Sequence, residues 1–269
     1  MATQQSRPDV WAAGDAYEPY IGRWSRLVAR AFIAWLALPP KQRWLDVGCG
    51  TGAVTQTILD CAEAAEVTGV DPSEGFVAVA RSRTRDPRAS FQIGDAQKLP
   101  LGDATADVAV SGLVLNFIPD PAKAIAEMRR VVRPGGTVAL YVWDYAGEMQ
   151  LIRRFWEAAI ALDPSARDLD EARRFPICRP ESLRELLQGA GLEHVEARAI
   201  DVSTTFRDFE DYWSPFLGGQ GPAPTYCAAL SDDRRSQLRE RLRTMLPAEA
   251  DGTIRLMARA FAIRGASAT

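Results

Sequence analysis

Leu45-Asp46-Val47-Gly48-Cys49-Gly50-Thr51-Gly52 decides the fold. A short apolar segment, 43–47, runs into three glycines spaced by two, and a helical pattern follows from Ala53 to Ala62. Glycine lets a backbone turn tightly and lets a bound group approach where a Cβ would obstruct it. The helix beyond exposes N–H groups with no partner of their own. A strand, a glycine turn and a helix in this order are the opening unit of a doubly wound α/β sheet.

The flanking sequence repeats the alternation. Upstream, Trp24, Leu27, Val28, Ala31, Phe32 and Trp35 fall at helical spacing over 22–38, and Pro39 and Pro40 stop that helix. Downstream, strands are expected at 66–70, 89–93, 106–111 and 137–143. Helices lie between them, one opened by Pro72-Ser73 and one running from Pro121 to Val132. A turn, Pro134-Gly135-Gly136, precedes the fifth strand. Beyond 145, helices are expected at 147–162, 180–189, 207–217 and 231–245, and strands near 194–201 and 253–263. Gly218 to Pro222 reads as a flexible break. The expectation is an α/β fold: a doubly wound, mostly parallel, seven-stranded sheet with a helical cap. Residues 1–40 read as an N-terminal helical lid segment and 41–269 as the main domain, with 145–190 and 202–250 as helical cap insertions.

Composition narrows the function. Of 269 residues, 47% are hydrophobic and 25% charged, which supports a packed core. The formal net charge of -3 lacks the basic excess of a nucleic-acid binder. Four cysteines (Cys49, Cys61, Cys178, Cys227) without metal-site spacing, and a single histidine, His194, give no zinc site and no Ser-His or Cys-His pair. No metal is expected. Met1 to Tyr20 has no secretory pattern, and the longest apolar stretch, 27–38, is short and contains Arg30. A cytoplasmic protein without membrane partners is expected, and the sequence assigns no oligomeric state.

The glycine loop alone leaves its ligand open. Gly48, Gly50 and Ala53 also satisfy the dinucleotide fingerprint, and Asp71 lies where a ribose-binding acid belongs in either case. Asp46 separates the two readings, because it precedes the first glycine by two residues. A pyrophosphate nearby would meet its carboxylate, and like charges about 4 Å apart repel by roughly 4 kcal/mol at an effective dielectric near 20. S-adenosylmethionine brings an ammonium and a sulfonium instead. Asp95, ending the third strand, adds another acid that suits a cationic nucleoside.

With these residues the sequence resembles the class I S-adenosylmethionine-dependent methyltransferases, the small-molecule type above all, closely over 40–145 and loosely elsewhere. The resemblance implies an enzyme that methylates a small-molecule acceptor and releases S-adenosylhomocysteine. It implies that Asp46 and the loop Gly48, Cys49, Gly50, Thr51 and Gly52 hold the methionine part. Asp71 would bind the ribose hydroxyls, with Pro72 and Phe76 flanking the adenine. Asp95 would accept from the adenine amino group, Ala96 would offer its N–H, and Ser111 would lie beside the sulfonium region. Arg133-Pro134-Gly135-Gly136 matches the family's turn before its fifth strand. Asn116 stands where many relatives carry histidine, so a histidine base is absent there. No Asn-Pro-Pro-Tyr or Asp-Pro-Pro-Tyr run follows the fourth strand, which argues against nucleobase amino groups as acceptors.

The acceptor pocket is expected outside the common core. Tyr17, Tyr20, Arg23 and Trp24 form one candidate group, and Trp143, Asp144 and Tyr145 follow from the fifth strand. Phe209, Tyr212, Trp213 and Phe216 form an aromatic stripe at helical spacing. Two other readings stay in view: a protein that binds S-adenosylmethionine without transferring its methyl, and a nicotinamide-dependent oxidoreductase.

Overall fold

The computed structural model describes residues 18–218 and 221–269. Seven strands form one sheet in the order β3-β2-β1-β4-β5-β7-β6. The strands are β1 (Arg43–Val47), β2 (Glu66–Asp71), β3 (Ala89–Ile93), β4 (Ala106–Gly112), β5 (Val132–Trp143), β6 (Leu192–Phe206) and β7 (Ile254–Ser267). The first five pair in parallel. β7 runs antiparallel between β5 and β6. Strand order reverses between β1 and β4, and a crevice opens at such a reversal, outside the carboxyl ends of the strands.

The helices follow from caps and apolar stripes. A π-turn, Glu18–Gly22, leads into α1 (Arg23–Leu36), whose buried face is Trp24, Val28, Phe32, Ile33 and Leu36. Phe32 meets the Tyr141 ring of β5 at 4.8 Å between centroids. The helix ends at Ala37 in the left-handed region, and Arg264 of β7 donates to the Leu36 carbonyl at 3.0 Å. α2 (Ala53–Cys61) starts from the glycine loop. α3 (Glu74–Arg83) is capped by Ser73, and α4 (Pro121–Val131) by Asp120 with Pro121 in its first turn.

Between β5 and β6 lie α5 (Gln150–Leu162), a 3-10 turn (Pro164–Asp168), α6 (Glu171–Arg174) and α7 (Pro180–Gly189). Between β6 and β7 lie α8 (Phe209–Trp213), a 3-10 turn (Ser214–Gly218), α9 (Pro222–Ala229) and α10 (Asp232–Met245).

Several sequence expectations are corrected here. The Arg133 to Gly136 turn is a bulge inside a longer β5: Val132 pairs with Ala106 and Thr137 with Val108, so four residues face Asp107. Arg43 and Arg133 hold the Asp107 carboxyl well below the usual carboxylate range. The 207–217 helix is one short α-turn followed by a 3-10 turn. The helix expected from 147 starts at Gln150, because the Asp144 carboxylate first accepts the N–H groups of Gly147 and Glu148. Pro222, expected in a loop, opens α9. Residues 202–206 belong to β6, and His194 sits at a bulge in that strand with a positive φ of 51°.

Candidate active site

A cavity of about 420 Å³ opens at the strand reversal. This is the size range of small-molecule sites. Its lining comes from both sides of that reversal. The glycine loop, Asp71, Pro72, Phe76, Asp95 and Ala96 follow or end β1, β2 and β3. Leu113, Phe117, Ile118, Trp143 and Tyr145 follow or end β4 and β5, and Ile21 comes from the turn before α1. Among the described residues, the lining includes two acids and no Lys, Arg or His. A cation is attracted by such a wall, and a polyanion is repelled.

Hydrogen bonding in the loop points the same way. The N–H groups of Gly48 and Cys49 both donate to the Val70 carbonyl, at 2.8 and 3.1 Å. Gly50 N–H donates to Asp71 Oδ2 at 2.9 Å, and Gly52 N–H to the Cys49 carbonyl at 2.8 Å. Four donors that a phosphate-binding loop would aim at its ligand are therefore taken by the protein itself. Asp71 is also fixed through its other oxygen, which accepts Ser73 N–H at 2.9 Å. Burial pushes its carboxyl up, and these two N–H groups oppose that.

The glycines are required by geometry. Gly48 has φ 73°, and a Cβ there would lie 2.6 Å from Val114 Cγ1. Gly50 has φ 52° and faces open space. Gly48→Ala is expected to weaken cofactor affinity about tenfold, since a strained residue of this kind costs of order 1–3 kcal/mol. Titration calorimetry checks this; an unchanged affinity would mean that the loop does not shape the site.

Asp46 lies behind the loop and off the cavity wall. It is fully buried. Thr55 donates to its Oδ2 at 2.7 Å, while Oδ1 has no partner among the described residues. Burial raises its pKa to about 7, against the opposing Thr55 bonds. Its folded pKa thus exceeds the unfolded value, so the native state holds the extra proton between about pH 4 and 7 and loses stability as pH rises through that window. Buried Glu171, raised to about 8, adds a slope of the same sign. Urea unfolding of the ligand-free protein should show Asp46→Asn flattening the wild-type pH slope. Parallel slopes would contradict the assignment.

The structure gathers most of the expected residues. Gly48, Cys49, Gly50, Thr51, Asp71, Pro72, Phe76, Asp95, Ala96, Trp143 and Tyr145 all line the cavity. Gly52 sits at the N-terminus of α2, just off the wall. Asp95 also closes a local turn: its carboxylate accepts Gln97 N–H at 2.8 Å, and this bond keeps its pKa low. Among the described residues, buried Ser111 has no partner for its hydroxyl and Asn116 none for its amide; neither is on the wall.

Other expected acceptor residues are elsewhere. Tyr20, Arg23 and Trp24 turn toward the end of β6 and the segment after it, and their neighbours Ile21 and Ser25 line the cavity instead. Asp144 caps its own turn. Tyr212 and Trp213 are core: the Tyr212 hydroxyl donates to the Leu151 carbonyl at 3.0 Å, and Trp213 stacks on Phe209. Tyr17 lies outside the described residues. Val114 and Phe117 were not anticipated, and only the apolar run after β4 hinted at them.

A doubly wound sheet with an acid-lined cavity at its switch point defines an α/β protein suited to a positively charged small-molecule ligand. Comparison with known proteins agrees. A family model described as a methyltransferase domain matches residues 45–140. The demethylmenaquinone methyltransferase of Roseiflexus sp. (strain RS-1) is 33% identical over 189 residues, 64% of this chain and 77% of that protein. The malonyl-[acyl-carrier protein] O-methyltransferase of Serratia marcescens is 35% identical over 118 residues, so this chain spans only 44% of that relative's length. The phosphoethanolamine N-methyltransferase 2 of Haemonchus contortus, solved with S-adenosyl-L-methionine, superposes with TM-score 0.59 at 18% identity, over 95% of this chain and 56% of that one. The chain belongs to the class I S-adenosylmethionine-dependent methyltransferases, and S-adenosylmethionine is its cofactor.

Proposed function

We propose that the protein methylates a small, uncharged, largely apolar acceptor. One observation carries this reading: the described lining from the β4 and β5 side of the reversal (Leu113, Phe117, Ile118, Trp143 and Tyr145), together with Ile21, includes no ionised side chain. Among the relatives above, one is named for demethylmenaquinone and one for a malonyl-acyl carrier protein. The uncharged wall favours an apolar acceptor over a carboxylate, which would lose its hydration there without gaining a counter-charge.

The cofactor, when bound, supplies a methyl group on a positively charged sulfur. Its holders would be the Gly48–Gly52 loop at the methionine end, Asp71 on the ribose hydroxyls, Pro72 and Phe76 beside the adenine, and Asp95 and Ala96 at the adenine edge. Asp46 would act from behind the loop, as a charge that a nearby cation keeps ionised. The β4 and β5 side of the described lining holds no histidine or carboxylate to serve as a base. The protein's work is then alignment and exclusion of water, which supplies on the order of 7–11 kcal/mol.

In this reading the segment before β1 acts as a lid, and 145–190 and 207–250 as caps. Ile21, Ser25 and Tyr145 on the cavity wall support the first two of these roles. Four unpaired cysteines suit a reducing, cytoplasmic setting. Among the described residues, no helix is long and apolar enough to cross a membrane.

Methyl-labelled S-adenosylmethionine, offered with neutral aromatic compounds and with small carboxylates of matched size, tests the acceptor class. Label transfer to the neutral set is expected. Transfer to the carboxylates alone would overturn it.

A further inference from the structure

Residues 20–25 present two faces. Ile21 and Ser25, one helical turn apart, line the cavity. Tyr20, Arg23 and Trp24 grip the end of β6 and the segment that follows it. The Tyr20 ring meets Phe216 edge-on at 5.6 Å, and Trp24 meets Phe206 at 5.5 Å. Arg23 Nη1 donates to both oxygens of Asp211 in α8, at 3.2 and 3.3 Å. Its guanidinium carbon also lies 4.4 Å from the centre of the Trp24 ring and 4.8 Å from that of Phe206. Asp211 is itself held, by the Arg207 N–H at 3.0 Å.

The Arg23 head is incompletely satisfied. Its Nε and Nη2 are buried and have no hydrogen-bond partner among the described residues. The carboxylate of Asp211 and two ring faces are what hold the charge in place. Without Asp211, water competes for the guanidinium and draws the 20–25 segment outward. Ile21 and Ser25 would leave the wall with it.

We propose that Arg23 and Asp211 are positioning residues that hold the Ile21–Ser25 wall against the bound ligand. The segment between β6 and β7 then sets how long the site keeps its occupant, although Asp211 is not on the cavity wall. The proposal rests on the cavity being the methyl-transfer site.

Stopped-flow release of S-adenosylhomocysteine, followed by tryptophan fluorescence, is the test; Trp143 on the wall is the reporter. Asp211→Asn is expected to release the ligand about three- to fivefold faster, the range open to a partly exposed ion pair. The ligand-free melting temperature should fall by only a few degrees. Arg23→Met with Asp211→Asn should release more slowly than Asp211→Asn alone, because no charge is stranded. Exchanging the two charges, Arg23→Asp with Asp211→Arg, should restore part of the wild-type rate. Added salt should speed release from the wild type more than from Asp211→Asn.

Equal release rates in all forms would overturn the proposal, as would a lower melting temperature with unchanged release. Should Asp211→Asn not fold, salt-independent release from the wild type would overturn it as well. Failure of the wild type to bind S-adenosylhomocysteine at all would instead sink the reading of the cavity.

Discussion

Asp71→Asn is expected to raise the dissociation constant for S-adenosylmethionine by about 100-fold, two charge-assisted hydrogen bonds contributing roughly 1.5–3 kcal/mol each. The carboxylate has two duties. Its oxygens accept backbone N–H groups from Gly50 and Ser73, which ties the glycine loop to the start of α3. It also lines the cavity, where a ribose diol would donate to its oxygens. Asparagine has the same shape but turns one oxygen into a donor. Both oxygens already accept a backbone N–H, so whichever way the amide turns its NH2 confronts the N–H of Gly50 or of Ser73 and the tie between loop and helix is broken. Asp71 also supplies negative charge to a cavity without a cationic side chain in its lining. Calorimetry with S-adenosylmethionine and S-adenosylhomocysteine measures the loss. Both ligands should weaken, because both carry the ribose. An unchanged affinity for either would remove Asp71 from the cofactor site.

Trp213→Ala is expected to cost about 3–5 kcal/mol of folding stability, the range for deleting a large buried aromatic side chain. The folded variant should still bind S-adenosylmethionine as the wild type does. Trp213 is 3% exposed and stacks on Phe209 with the rings 9° from parallel. Phe216 packs against it and stacks in turn on Phe155 of α5. Arg239 and Arg243 cover Phe209 from α10. An alanine would leave a cavity that this cluster cannot refill from one side. Urea unfolding followed by circular dichroism gives the loss directly. Unchanged stability with altered acceptor turnover would return Trp213 to the pocket wall, where its helical spacing first suggested it.

The difference between those two residues shows how far the sequence reads. Asp71 was legible because its position is local: it ends a strand, and strand ends at the carboxyl edge of a parallel sheet form the ligand crevice. Gly48 and Gly50 were legible for the same reason. Trp213 was misplaced because an aromatic stripe tells which residues share a face and not what covers that face. What covers it are Tyr20 and Phe155, one near the start of the described chain and one in α5. The Arg133 to Gly136 bulge was misread as a turn because its opposing residue, Asp107, lies on another strand.

The sequence by itself determined the order of strands and helices, the glycine loop and the acids at the strand ends. Each depends on residues within a few positions of one another, where backbone preference and hydrophobic period suffice. The tertiary structure alone decided that Asp46 stands behind the loop, that the loop N–H groups are spent on Val70 and Asp71, and that Ile21 and Ser25 rather than Tyr20 and Arg23 face the cavity. Those facts depend on contacts between segments far apart in the chain, and a hydrogen bond or a buried face exists only once its partner has arrived.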